Sequence, residues 1–194
     1  MPSSENENKV TDRVLLIGKR AAVLTRLQAA LREIGIEADL TQDTAHADQS
    51  ELREYGAVAF GRAVGEEDRA RMRDAFRAAN PAVAFVDGLA PITPLLVAQF
   101  EQALDRRPEQ DRRIGDLTVS EGRIDFELRS PARVRVTTYR LTRLYRTQTE
   151  QLLDERLAPG THKMDLGRRN ARAKEAFVVV RADEGEVHVA AVRR

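Results

Sequence analysis

Two short stretches, Val14-Leu15-Leu16-Ile17 and Ala57-Val58-Ala59-Phe60, are apolar at every position, and each runs straight into a glycine, Gly18 and Gly61. A strand with one face in water alternates apolar and polar residues. A run without alternation needs cover on both faces, which a parallel sheet flanked by helices supplies. The intervening sequence fits that demand. Ala21 to Ile34 places Leu24, Leu27, Leu31 and Ile34 at helical spacing, with Gly35 as the expected C-cap. Ile36 to Leu40 alternates, as an edge strand does. Residues 44–55, with Ala45, Ala47, Leu52 and Tyr55, permit a short helix.

After the second apolar run, Glu66 to Ala79 reads as a helix. Its first turn holds Glu66, Glu67 and Asp68, where negative charge favours the macrodipole, and Asn80-Pro81 stops it. Ala82 to Val86 is a further strand, ending at Asp87-Gly88. Thr93-Pro94 has the form of an N-cap followed by proline at the first helical position, and the helix continues to Leu104. Strand–helix units in succession predict an open parallel α/β sheet with helices on both faces.

The pattern then changes. Asp105 to Arg113 is charged and lacks a hydrophobic period, so it reads as a linker. Beyond it a period of two takes over, in Arg123 to Leu128 and in Val134 to Tyr139. Further strands are expected in 144–153, 161–166, 176–180 and 186–192, with Pro159-Gly160 and Asp183-Glu184-Gly185 as turns. Short strands at this spacing predict a small antiparallel β-sandwich. Residues 117–194 hold 16 Lys and Arg against 11 Asp and Glu, while the remainder holds 16 against 20. The second part is thus mildly basic and the first mildly acidic.

Composition excludes several classes. There is no cysteine, so disulfides, thiolate metal sites and cysteine nucleophiles are ruled out. The 32 basic and 31 acidic residues nearly cancel, unlike a generic nucleic-acid binder. The polar start Met1 to Lys9 lacks the apolar core of a secretory signal, and no apolar run reaches the ~20 residues a bilayer requires. A cytoplasmic location is therefore expected. Neither G-x-G-x-x-G nor a P-loop is present. No serine sits in a nucleophile elbow. His46, His162 and His188 show no metal-ligand spacing. His188, between Val187 and Val189, is expected to point outward from its strand.

In order and pattern, residues 13–104 resemble the receiver domain of two-component response regulators. That resemblance implies an acidic pair after the first strand, a phosphoacceptor Asp after the third and a Lys after the fifth. Here Gly18-Lys19-Arg20 and Gly61-Arg62 occupy the first two places, so the resemblance implies a pseudo-receiver that is not phosphorylated in the family's way. Residues 117–194 resemble the immunoglobulin-like module of flagellar hook-capping proteins and of secreted bacterial proteins. The resemblance lies in Ala132 to Val136, in Leu157-Ala158-Pro159-Gly160-Thr161-His162 and in Ala176 to Arg181. Such modules mediate assembly or attachment and are not enzymes.

Open α/β sheets bind ligands beyond the carboxyl ends of their strands. Those ends carry Gly18, Lys19 and Arg20, then Asp43, then Gly61 and Arg62, then Asp87 with Gly88. Glycine lets backbone N–H groups approach an anion and the cations would favour one; the plainer reading is tight turns with solvated charges. The Arg133, Arg135, Arg140, Arg143 and Arg146 series reads as a mixed, solvated face.

The sequence therefore predicts a flexible N-terminal arm (1–12), a receiver-like α/β domain (13–106), a linker (107–116) and an Ig-like β-sandwich (117–194). The expected function is non-enzymatic, as a regulatory or protein-interaction protein, with no catalytic residue, metal or cofactor. A protein partner is expected, and a homo-oligomer is allowed; a membrane or nucleic acid is not. The alternatives are a nucleotide- or anion-binding α/β protein, with its ligand at the strand ends, and an assembly module.

Overall fold

The computed structural model describes residues 12–42, 52–88, 90–142, 146–183 and 185–192. Residues 1–11 of the expected arm, Asp43, most of the 44–55 segment with His46, and Arg143 lie outside these residues. The chain divides into two compact units, 1–88 and 89–194.

In the first unit, β1 (Val14–Ile17), β2 (Ala38–Thr41), β3 (Ala57–Phe60) and β4 (Ala84–Asp87) form one parallel sheet in the order β2-β1-β3-β4. β1 and β3 are the central strands and are buried throughout. The helices are α1 (Ala21–Glu33) and α2 (Glu66–Ala79). β1 to β2 and β3 to β4 step in opposite directions along the sheet, so right-handed crossovers put the two helices on opposite faces. Leu15, Ile17, Val58 and Phe60 pack with Met72 and Phe76 of α2. Gly35 ends α1 at φ +83, a backbone angle glycine adopts without a Cβ clash.

The second unit opens with α3 (Thr93–Leu104) and a short 3-10 turn (Glu109–Asp111). The strands β5 (Ile114–Ser120), β6 (Arg123–Leu128), β7 (Ala132–Leu141), β8 (Thr147–Leu157) and β9 (Gly160–Asp165) follow. Helix α4 (Arg168–Ala171), β10 (Ala176–Ala182) and β11 (Glu186–Ala191) complete it. Two antiparallel sheets, β11-β10-β7-β8 and β5-β6-β9, enclose one core. Ile124, Phe126 and Leu128 contribute to that core from one sheet, and Val134, Val136, Val178 and Val180 from the other.

Three expectations change here. The boundary falls after Gly88, because α3 belongs with the β-rich unit. Ile92, Leu95 and Ala98 pack on Phe177, Val179 and Val187, and Gln102 Oε1 accepts the Val189 N–H at 2.9 Å. Arg181 grips Glu101 through two hydrogen bonds of 2.9 and 2.5 Å. The helix begins at Thr93 itself, since the Ile92 carbonyl already accepts from Leu96 N at 3.0 Å. The stretch expected as a linker, 107–116, contains the 3-10 turn and the start of β5.

Glu186 explains why that charged stretch is ordered. Its carboxylate is fully buried, and accepts the backbone N–H of Arg113 at 2.8 Å and of Ile114 at 2.9 Å. Arg107 approaches it at 3.5 Å and the His188 ring at 3.2 Å. Arg113 also pairs with Asp183, and Arg107 donates to the Gly185 carbonyl. Glu186→Ala should therefore destabilise the second unit by about 3 kcal/mol in urea unfolding, because the buried Ile114 N–H and the part-buried Arg113 N–H lose their acceptor. A loss under about 1 kcal/mol would show that the clamp is dispensable.

Candidate functional site

The strand order β2-β1-β3-β4 reverses between β1 and β3, so the topological switch point of the first unit lies at Ile17-Gly18 and Phe60-Gly61. Backbone meets backbone there. Gly61 N–H donates to the Ile17 carbonyl at 2.8 Å, and Gly18 N–H to the Thr41 carbonyl at 3.2 Å. A Cβ on Gly61 would stand 3.4 Å from both Gly18 Cα and the Ile17 carbonyl oxygen. A Cβ on Gly18 would meet Leu24 Cδ2 at 3.4 Å. Neither glycine has a positive φ; what distinguishes Gly61 is the close main chain on two sides, not an unusual backbone angle.

Lys19, Arg20 and Arg62 are exposed around this point. Arg20 is the N-cap of α1 and supplies no side-chain cap; its carbonyl accepts from Val23 N and Leu24 N. Asp87, at the end of β4, is also exposed, but its carboxylate is engaged. Arg73 Nη2 donates to Oδ2 at 2.5 Å, and Arg69 Nη1 lies 3.7 Å from Oδ1. Arg69 also donates to the carbonyls of Gly61 and Val64, each at 3.1 Å. The Arg73 guanidinium sits 5.6 and 5.7 Å from the ring centroids of Phe60 and Phe85, within cation–π range.

The structure thus gathers Gly18, Gly61 and their flanking cations at the switch point, and ties Asp87 to arginines of α2. Arg69 and Arg73 were not singled out in the sequence. Their signal is the four-residue spacing Arg69, Arg73, Arg77, which places all three on the helix face beside β4; Arg77 lies over the Phe85 ring at 5.2 Å.

Other candidates resolve into structural roles. The outward placement expected for His188 is corrected: its side chain is only 15% exposed and meets Glu186. The cause is α3, which covers Val187 and Val189 on the outer face and leaves His188 to the inner one. His162 stacks on Phe126 at 5.3 Å and its Nε2 lies 2.9 Å from the Ala158 carbonyl, so the Leu157 to His162 motif closes the β8–β9 turn. On the outer face of β7, Asp154 receives hydrogen bonds from Arg133 at 2.7 Å and Arg135 at 3.1 Å. The bond from Arg133 above all holds its carboxyl below the ordinary value. Among the described residues no group of three His, Asp or Glu converges to hold a metal ion, and no helix is long and apolar enough to cross a membrane.

No known protein-family model matches the chain, and no curated protein matches it either.

The packing at the switch point makes a prediction. Gly61→Val should cost about 2 kcal/mol in chemical denaturation, because its side chain must displace β1 backbone. Gly65→Ala, where a Cβ meets only Asp68 Oδ2 at 3.8 Å, should cost less than about 1 kcal/mol. Equal effects would contradict the close approach.

Proposed function

We propose that this chain is a non-enzymatic regulatory or protein-interaction protein, built from a pseudo-receiver α/β unit and an Ig-like β unit, and acting in the cytoplasm on a protein partner. One observation carries the reading. Among the described residues at the ends of β1, β3 and β4, Asp87 supplies the carboxylate, and two arginines engage it. A phosphoacceptor chemistry based on Mg²⁺ needs hard anionic oxygens gathered at this point. Backbone glycine and exposed cations stand there in their place. The strand order supports a receiver-like ancestry, since flavodoxin-like sheets place β1 between β2 and β3.

A second reading is favoured by the same geometry. Lys19 and Arg20 are exposed at the switch point, and their charge suits a phosphate-bearing anion, although the Gly18 and Gly61 N–H groups are already donated to the Thr41 and Ile17 carbonyls.

Amide NMR titrations of the full chain with MgCl₂ and with pyrophosphate separate the two. The interaction reading predicts no saturable shift of the Gly18 and Gly61 resonances with either. A saturable shift with pyrophosphate alone moves the assignment to anion binding. A saturable Mg²⁺ shift centred on Asp87 overturns the pseudo-receiver reading.

A further inference from the structure

Among the described residues, Arg13, Arg73, Arg113, Arg133, Arg135 and Arg181 are arginines that each meet a carboxylate. One end of the second unit instead gathers several exposed cations. Hydrogen bonds bring its segments together. Leu166 N–H donates to the Gly122 carbonyl at 2.8 Å, which sets α4 beside the β5–β6 turn. Leu141 N–H donates to the Glu175 carbonyl at 3.3 Å, which joins the end of β7 to the approach to β10. Asn170 of α4 is buried, and its Nδ2 donates to Glu150 of β8 at 3.1 Å and to the Leu166 carbonyl at 2.9 Å.

On this end Arg146, Arg168, Arg169, Arg172 and Lys174 are exposed, with Arg140 half-buried beside them. Arg168, Arg169 and Lys174 make no ion pair among the described residues. Of the nearby carboxylates, Glu121 lies 3.6 Å from Arg123, Asp165 accepts the Gly167 N–H at 2.7 Å, Glu150 accepts from Asn170 at 3.1 Å, and Glu175 is half-buried.

We infer that this end of the second unit docks an acidic segment of a partner protein. Guanidinium groups receive carboxylates through two parallel hydrogen bonds, and several such groups on neighbouring loops suit a run of Asp and Glu. A protein segment fits better than a nucleic acid. Glu121, Asp165 and Glu175 interrupt the cations, which a continuous phosphate backbone disfavours. A membrane fits poorly as well, because among the described residues the exposed large apolar ones, Ile34 and Leu40, both lie in the first unit. The inference rests on the interaction reading. It concerns only residues outside the switch point, so its failure leaves the Mg²⁺ and pyrophosphate titrations untouched.

Fluorescence anisotropy of the full chain tests it, with a labelled oligoglutamate peptide, a labelled single-stranded oligonucleotide, and phosphatidylserine vesicles in co-sedimentation. The peptide should bind at low ionic strength and weaken as salt rises. The variant Arg168→Glu/Arg169→Glu/Lys174→Glu should bind it about tenfold more weakly, with unchanged circular dichroism and melting. Arg169→Glu alone serves as a milder variant should the triple change impair folding. Absence of peptide binding at millimolar protein, or equal binding by the variants, overturns the proposal. So does tighter binding of the oligonucleotide or the vesicles through the same residues.

Discussion

A strand that is apolar at every position needs cover on both faces, and that demand organises both units. β1 and β3 are buried along their whole length. The first unit meets the demand with α1 on one side of the sheet and α2 on the other. β10 presents the same problem in the second unit, since Phe177 and Val179 face outward while Val178 and Val180 face the core. A two-sheet sandwich would leave the outward pair in water. Burying side chains of this size contributes roughly 1.5–3 kcal/mol each. α3 supplies that cover. Its placement turns His188 inward and brings 107–114 alongside β11, where Glu186 holds it.

The same economy of backbone shapes the switch point. β1 and β3 lie close at their ends, where a Cβ on Gly61 would touch main chain at 3.4 Å on two sides. Asp87 retains a carboxylate, yet its charge is spent on holding α2 to β4 through Arg69 and Arg73. This pairing is half-exposed and adds little stability by itself. Its consequence is electrostatic: among the described residues the strand ends carry cations on their periphery, and the carboxylate of Asp87 is engaged.

Much of this was legible in the sequence. Unbroken apolar runs marked β1 and β3, and the stripe Leu24, Leu27, Leu31 marked α1. The change to a period of two marked the second architecture. Which sheet a helix serves was not legible, because the stripe in 93–104 says that the helix is amphipathic and not what it packs against. The unbroken run Phe177 to Val180 was the available clue, since it asks for a second layer. The charged stretch Asp105 to Arg113 looked like a linker because its partners, Asp183 and Glu186, lie some seventy residues further on. Local patterning holds no record of such distant pairing. Arg69 and Arg73 were hidden for a similar reason: in a helix with arginine at many positions, only the neighbouring strand reveals which ones matter.

On the pseudo-receiver reading that we propose, the strand ends of the first unit take up no phosphoryl group. Incubation of the full chain with acetyl phosphate and Mg²⁺, followed by intact-mass spectrometry, tests it directly. The claim predicts an unchanged mass. A stoichiometric, acid-labile phosphoryl adduct mapped to an aspartate of residues 12–88 would contradict it.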